Sequence, residues 1–167
     1  RLSYDLGDLG KGRGGFYFIQ DQAPELSSFN GPIDPDRYRF DLRHSLTNDS
    51  GFEFKGVVRA QSDPMVLRDF FEREFRTDPQ PKTFVELSQL NSNWSLDFLA
   101  HAQVNEFFRT VERLPDVRLR GLRQQIGVTL IYYESDSSLA YLRYRDALAG
   151  GTNYAAFRGD TYHQLVS

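Results

Sequence analysis

The sequence predicts an all-β fold in which about nine strands form an antiparallel up-and-down meander. Apolar and polar residues alternate with a period of two over long runs, as they do when successive side chains of a strand point to opposite faces. Turn-forming residues interrupt these runs. Short and long connections also alternate, which is typical of a meander with turns at one end and loops at the other.

The alternation is clearest in three runs of nine to twelve residues. Between Arg37 and Leu46, for example, Tyr38, Phe40 and Leu42 alternate with polar or charged neighbours. The remaining predicted strands lie at 52–61 and 94–105 and, with weaker alternation, near 2–7, 15–22, 82–90, 116–125, 130–144 and 161–167.

The connections divide into turns and loops. Residues 48–51 and 91–93 are predicted to be tight hairpin turns because Asn, Asp and Gly tolerate positive φ. Proline cannot donate to a strand ladder, so Pro64, Pro79, Pro81 and Pro115 are expected to mark loop borders. The longer connections are expected at about 23–36, 62–81, 106–115 and 145–160.

Two of the connecting segments carry further signals. Within 62–76 we expect one short helix, with Asp63 as its cap and Pro64 in its first turn. Its apolar stripe consists of Leu67, Phe70, Phe71 and Phe75. The Gly10–Gly15 stretch resembles a phosphate loop only superficially, because the Lys-Ser/Thr pair and a following helix are missing. We expect a flexible turn there.

Length and composition set further limits. The 167 residues, 40% hydrophobic and 26% charged, suffice for one domain, and no run of 18 apolar residues predicts a transmembrane helix or signal peptide. The net charge of −3 gives no electrostatic case for a nucleic-acid partner, and the absence of cysteine excludes disulfides and thiolate metal sites. Because the chain starts with Arg1 and stops inside a predicted strand, we expect it to be a segment of something longer.

The alternation alone fits either a soluble β-sandwich or a membrane β-barrel. In the sandwich the apolar faces pack together, whereas in the barrel they meet lipid and the polar faces line a wet lumen. Runs of nine to twelve residues favour a segment of a large outer-membrane barrel, because globular strands average about 5–6 residues and a tilted membrane strand needs about 9–11. The candidates for the lipid-facing side are Tyr38, Phe40, Leu42, Phe52, Phe54, Val58, Trp94, Leu96 and Phe98. The candidates for the lumen-facing side are Arg39, Asp41, Arg43, Glu53, Lys55, Arg59, Asp97, His101, Arg118 and Arg120.

The basic residues of the polar faces have two interpretations. They can attract an anionic ligand, since arginine suits bidentate phosphate contacts, or they can pair across strands with Asp41, Glu53 and Asp97. We favour pairing because the polar faces hold similar numbers of acids. On the other side, Trp94, with Tyr38 and Phe52 near strand ends, is interpreted as part of an interfacial aromatic girdle, with core packing as the alternative.

The sequence predicts no catalytic, cofactor-binding or metal-binding site. The three histidines, His44, His101 and His163, show neither HExxH nor GxSxG spacing. His44 and Ser45 are neighbours in a predicted strand, so their side chains point to opposite faces. We therefore expect the protein not to be an enzyme.

Several short motifs carry a resemblance to a known family. Arg37-Tyr38-Arg39-Phe40 with His44-Ser45, followed by Ser62-Asp63-Pro64 with Asp69-Phe70, resembles the C-terminal barrel domain of the LptD family, also called OstA or Imp. This family assembles lipopolysaccharide at the outer membrane.

Later segments continue the resemblance in the family's order. Glu112-Arg113-Leu114-Pro115 before Val117-Arg118-Leu119 is similar to the family's Arg-Leu-Pro element. The run Tyr132-Tyr133-Glu134-Ser135, followed by Asp136-Ser137-Ser138, fits the version of this barrel in divergent bacteria. The resemblance covers about 37–144, so residues 1–167 look like a partial LptD-type transmembrane β-barrel domain.

The resemblance implies a function, a location and partners. It implies an outer-membrane translocon that inserts lipopolysaccharide into the outer leaflet. The implied partners are an LptE-type plug lipoprotein, outer-membrane lipid, and a periplasmic Lpt bridge. This bridge supplies lipopolysaccharide through a jellyroll domain that this segment lacks. It implies no cofactor and no nucleic acid. We place the segment among the early-to-middle strands, as barrel wall and not as the lateral gate. The family's cysteines are missing here, which leaves disulfide-controlled maturation open.

Two other functions remain open at this stage. A generic outer-membrane porin-like barrel would show the same alternation without transporting lipopolysaccharide. A soluble β-sandwich would act as a binding module. An outer-membrane barrel hydrolase, a third class, lacks a credible nucleophile–base pair in this sequence.

Overall fold

The fold was derived from a computed structural model that describes residues 1–24, 26–27, 31–147 and 151–167. Nine strands form one antiparallel sheet in the order β1-β2-β5-β6-β7-β8-β9-β10-β11, and β3 and β4 form a separate two-stranded pair. The strands are β1 (Leu2–Asp5), β2 (Lys11–Gln20), β3 (Leu26–Ser27), β4 (Gly31–Pro32), β5 (Asp36–Thr47), β6 (Phe52–Gln61), β7 (Thr83–Leu90), β8 (Trp94–Ala102), β9 (Thr110–Gln125), β10 (Tyr132–Arg145) and β11 (Tyr154–Val166).

The all-β meander predicted from the sequence is confirmed. Each long strand pairs with the next long strand along the chain, and β1 and β11 are the two edges, so the sheet is not closed. The nine strands belong to a single sheet, not to two stacked sheets, and the two-layer sandwich left open by the sequence is therefore not the observed fold.

The connections alternate between the two ends of the sheet. At one end, which we call the turn end, the strands are joined by short connections such as 48–51 and 91–93. Gly51 there has φ +79°, in the left-handed region that favours glycine. At the other end, the loop end, the longest connection is 62–82, and it carries the helices.

The 62–82 connection contains two short helices where the sequence predicted one. They are α1 (Val66–Phe70) and α2 (Glu72–Thr77), and they meet at Phe71, whose φ of −138° interrupts the helical backbone. The N-cap of α1 is Met65, without a side-chain cap hydrogen bond, so the prediction of Asp63 as the cap and Pro64 in the first turn is wrong. Asp63 Oδ1 instead accepts the backbone N–H of Met65 (2.8 Å), two residues further along.

Two other sequence predictions need correction. Pro115 does not mark a loop border but lies inside β9, where the register with β8 and β10 shifts on either side of it; a bulge accommodates a residue that cannot donate to the ladder. The Gly10–Gly15 stretch is not a flexible turn, because Gly12, Gly14 and Gly15 lie within β2.

Strand bounds also differ at several weak runs. The strand predicted at 116–125 begins at Thr110, and the strand predicted at 161–167 begins at Tyr154, because bulged or weakly alternating segments still complete the ladder with β10. The predicted loops at 106–115 and 145–160 are shorter for the same reason. Of these connections, residues 148–150 lie outside the described part, as do 25 and 28–30 of the 23–36 connection.

Burial in this molecule is unusual for a protein with a 40% hydrophobic sequence. Among the described residues, six buried side chains are polar or charged and only five are apolar, whereas 24 large hydrophobic side chains are exposed. Water-soluble proteins almost never bury charged residues fully, and they do so only when the charges are paired. The buried apolar residues are Ile33, Val57, Val66, Leu67 and Ala140, and the buried polar ones are Arg37, Gln61, Asp63, Ser95, Asn105 and Glu112.

Candidate functional site

The register of the sheet sorts the side chains into two faces. Residues directly opposite each other in antiparallel strands project to the same side. Arg39 is opposite Tyr17 on β2 and Gln61 on β6, whereas Phe40 is opposite Phe16 and Ala60. We call the side that carries Arg39 the polar face and the side that carries Phe40 the apolar face.

All nine apolar candidates lie on the apolar face, and all ten polar candidates lie on the polar face. The pairings carry each face across the sheet, for example Leu87 with Phe98 on one side and Asp97 with Arg118 on the other. None of the nine apolar candidates is buried. The register therefore assigns the two groups of candidates to opposite faces of the sheet. The medium that each face contacts depends on the function of the protein.

Among the residues that the structure describes, none forms a second layer over the apolar face. Phe16 is 68% exposed, Leu139 is 55% exposed and Phe157 is 72% exposed. Even in the middle of the sheet, Val58 and Leu96 remain more than one third exposed. All nine strands carry exposed apolar side chains on this face, although on β10 and β11 it also holds Ser135, Ser137, Thr161 and His163. Exposed apolar surfaces larger than those of soluble monomers mark contact with a partner or with lipid.

Aromatic side chains cluster on the apolar face near the turn end. Trp94 and Phe52 begin their strands there, whereas Tyr38, the third residue of the girdle interpretation, lies near the loop end. The structure adds two stacked tyrosine–histidine pairs that sequence reasoning missed. The Tyr4 hydroxyl is hydrogen-bonded to His44 Nδ1 (3.0 Å) and the Tyr133 hydroxyl to His163 Nδ1 (2.7 Å). Amphipathic rings of this kind suit a boundary between an apolar and an aqueous medium.

The polar face carries a buried ion cluster at the loop end. Arg37 is 1% exposed and donates four hydrogen bonds of 2.9–3.0 Å to Asp21, Asp63 and Asp69. Two of them form a bidentate pair with Asp63, which itself is buried. The three acids come from two different connections, so one guanidinium ties both of them to β5.

The same cluster joins three of the segments that the sequence analysis compared with the LptD family. Arg37 belongs to the first motif, Asp63 to the second and Asp69 to the third, and all three are in direct contact. The sequence indicated that Arg37 and Arg39 share a face, but not that residues 26 and 32 positions further along would meet Arg37 there.

The helical connection lies over the polar face. Phe70 and Phe71 contact the ring of Tyr17, with ring centroids 5.7 and 5.1 Å apart. The guanidinium carbons of Arg37 and Arg39 lie 4.8 and 4.4 Å from the centroids of Phe70 and Phe71. These phenylalanines therefore cover arginines on the sheet, and the segment folds onto the side that the sequence analysis called the lumen.

Five other arginines of the polar face are engaged in ion pairs. Asp41 accepts from Arg39, Arg43 and Arg59 at 2.9–3.4 Å. Arg39 and Arg59 also reach acids of the helical connection, Glu74 and Asp78, both at 2.5 Å. Further along the sheet, Arg118 pairs with Asp136 and Arg120 with Asp97. These five arginines are therefore all paired with acids, and Asp41 and Asp97 are among their partners. The described contacts give no ion pair for Glu53.

A cleft of about 860 Å³ opens on the polar face and extends from Lys11 near the turn end to Lys82 at the loop end. Its lining includes Lys11, Arg13, Lys55 and Lys82, all exposed. Of these, the sequence analysis had singled out only Lys55. The others come together because β2, β5 and β6 are neighbours and Lys82 lies directly before β7.

The three histidines do not converge. His44 and His163 lie on the apolar face in different parts of the sheet, and His101 Nδ1 lies 3.2 Å from the Val111 carbonyl oxygen. Across residues 1–24, 26–27, 31–147 and 151–167, no group of three or more histidine, aspartate or glutamate side chains could hold a metal ion.

Comparison with known proteins found no family model, no curated protein and no solved structure that matches this chain. Within the described part of the chain, neither short helix nor any other helix has the length and apolar character needed to cross a bilayer. The distribution of the two faces is therefore the observation on which a function must rest.

Proposed function

We propose that the chain forms part of the wall of an outer-membrane β-barrel of the lipopolysaccharide-assembly type. The observation that carries the proposal is the reversal of the two faces. The apolar face is open over all nine strands, whereas the charged face holds the ion clusters and the helical connection. A barrel wall in a bilayer has this distribution, with the apolar side toward lipid and the charged side toward the lumen.

The dimensions of the strands support a membrane wall. A strand of nine residues such as β8 is about 31 Å long, and a tilt of about 40° gives a height of about 24 Å, close to the ~25 Å apolar band of an outer-membrane barrel. β5, β6, β9, β10 and β11 are longer than β8. Short turns at one end and longer loops at the other are the usual arrangement of these barrels.

The open edges support a wall that continues beyond this segment. β1 pairs only with β2, and β11 pairs only with β10 over 13 positions. A long unpaired edge is a template for a further strand, and closure of the barrel is how such proteins remove their edges. Further strands on both sides would complete the barrel that the proposal requires.

The proposal of lipopolysaccharide transport is supported by the residues that resemble the LptD family. Arg37, Asp63 and Asp69 come from three of the matching motifs and meet in one buried cluster, which gives the motifs a shared physical role. In this account lipopolysaccharide passes through the barrel without bond-making chemistry. An LptE-type lipoprotein contacts the polar face from within, and a periplasmic Lpt bridge delivers the lipid through a jellyroll domain outside this segment.

Two experiments test the proposal. The full-length protein should fractionate with outer membranes and should migrate differently on gels before and after heating, as folded barrels do. A protein found in the soluble fraction without detergent would contradict the barrel. Depletion of the protein should then reduce lipopolysaccharide at the cell surface; unchanged surface display would overturn the transport role and leave a generic porin-like barrel.

A further inference from the structure

The cleft on the polar face collects an unusual set of cations. The chain contains only three lysines, Lys11, Lys55 and Lys82, and all three line this one cleft together with Arg13. They come from β2, from β6 and from the residue before β7, so it is the fold that concentrates them.

These four cations differ from the other basic residues of the polar face. In the part of the chain that the structure describes, none of the four has a carboxylate oxygen within 4 Å, whereas Arg39, Arg43 and Arg59 all do. The acids nearest in register are Asp5, opposite Lys11, and Glu86, opposite Lys55. Neither forms an ion pair with its lysine.

Two arginines next to the lysines repel each other. Arg13 on β2 lies directly opposite Arg43 on β5, so both guanidinium groups project from the same face of adjacent strands. Like charges in this position destabilise a sheet. Asp41 pairs with Arg43 (3.1 Å) but not with Arg13. An anion in the cleft would offset the charge of Arg13.

The spacing indicates how many negative groups a ligand needs. Lys11 and Lys55 lie on either side of Ser45 in the register, two strand separations or about 10 Å apart. Lysine side chains are long enough for the ammonium groups of Lys11 and Lys55 to share one anionic group. Lys82 lies four residues along the chain from the β7 position opposite Lys55, about 13 Å away, and a second anionic group fits there. Phe84 adds an apolar wall beside Lys55, whose Nζ lies 5.9 Å from the ring centroid. Ammonium and guanidinium groups around a partly apolar wall suit phosphates carried on a sugar ring.

We infer that this cleft is a binding site for a saccharide that carries two or more phosphate groups, held by Lys11, Arg13, Lys55 and Lys82. The inference rests on the proposed function and deepens it, since it names the chemical group by which the transported lipid is held inside the barrel wall. Arg43 and Arg59 also line the cleft, but their guanidinium groups are paired with Asp41.

The test measures binding to the full-length protein in detergent micelles. The probes are lipid A with two phosphates, the same lipid after phosphatase treatment, and inorganic pyrophosphate as a soluble competitor. The test variant is K11Q/K55Q/K82Q. The control, R109Q/R123Q/R158Q, removes three exposed charges from outside the cleft. Migration before and after heating shows whether each variant is folded.

We expect the bisphosphorylated lipid to bind at least tenfold more tightly than the dephosphorylated one. Loss of each lysine should weaken binding about fivefold and loss of all three roughly 100-fold, with a smaller dependence on salt, while the control changes binding less than twofold. If the triple variant does not fold, K82Q is used alone, because Lys82 precedes the ladder of β7. K11R/K55R/K82R should retain binding.

The outcomes separate the inference from the proposed function. Unchanged binding by the folded triple variant, or equal binding of both forms of the lipid, would overturn the inference while leaving the barrel intact. Binding of pyrophosphate that depends on the lysines, without binding of lipid A, would show a site for free phosphates and would contradict the lipid-transport role.

Discussion

Replacing Arg37 by methionine tests whether the buried ion cluster holds the helical connection against the sheet. The substitution keeps a long side chain but removes the guanidinium, which is 1% exposed and donates four hydrogen bonds. Asp63 would then be buried without its cation, while Asp69 would keep only its pair with the exposed Arg68 (3.1 Å). The contact of the guanidinium with the Phe70 ring would also be lost.

The burial of Arg37 sets the free-energy cost that we expect from this substitution. Removing one partner of a buried ion pair costs about 3–5 kcal/mol, because the remaining charge stays buried without compensation. Since about 1.4 kcal/mol corresponds to a factor of ten, the equilibrium for local opening of α1 should rise by between roughly 100-fold and several thousand-fold. The sheet should persist, because its ladders do not depend on this side chain.

Hydrogen exchange of the full-length protein in lipid nanodiscs measures this opening. The informative amides are those of Asp69 and Phe71, which donate to Met65 O and Leu67 O at 2.9 Å. They should exchange faster in Arg37→Met, while amides in the centre of β5 keep their protection.

Two further variants complete this test. Arg158→Met breaks an exposed pair with Asp160 and should change exchange little. Arg37→Met combined with Asp63→Asn should recover part of the loss, because one buried carboxylate is removed. Unchanged exchange at α1 in Arg37→Met would refute the view that the cluster holds the connection in place.

Three further substitutions test other parts of the structure. Phe98→Arg on the apolar face should cost about 2–4 kcal/mol of unfolding free energy measured in lipid bilayers, whereas Asp97→Asn on the opposite face should cost less than about 1 kcal/mol; equal costs would contradict the assignment of the faces. Gly12→Val should abolish the folded, heat-modifiable form, because a Cβ there would lie 2.4 Å from a backbone oxygen of β5, while Gly15→Ala, with its nearest atom at 3.8 Å, should fold normally. Asn105→Ala should lower the urea midpoint by an amount equivalent to about 1–3 kcal/mol, because its side chain satisfies a backbone N–H and a backbone C=O of β6 at 2.9 and 3.1 Å; an unchanged midpoint would show that these groups find other partners.

The sheet and its two faces follow from the sequence because they depend on local alternation. In β5, the period of two assigns Arg39 and Phe40 to opposite sides whatever the neighbouring strands are. The same local rule could not show that β9 continues through Pro115, because the bulge there is fixed by pairing with β8 and β10. Nor could it show that Gly12 is needed for close approach of Tyr4 from β1.

The candidate sites depend on contacts between distant segments, about which the sequence carries less information. Asp63 was expected to cap a helix, yet it is the main partner of Arg37, because the connection folds back over the polar face. The rarity of lysine was visible in the sequence. That Lys11 and Lys82 would share a cleft with Lys55 follows only from the strand order.

The most direct test of the central claim asks which medium each face of the sheet meets. The 167 residues contain no cysteine, so spin labels can be attached to single cysteines placed at adjacent positions, such as Phe40 and Asp41 on β5, and Asp97 and Phe98 on β8. In proteoliposomes, labels at the two phenylalanine positions should collide with oxygen dissolved in the bilayer, and labels at the two aspartate positions with a water-soluble nickel chelate. Equal access of the chelate to all four positions, or protection of the phenylalanine positions from both reagents, would contradict a lipid-facing apolar side.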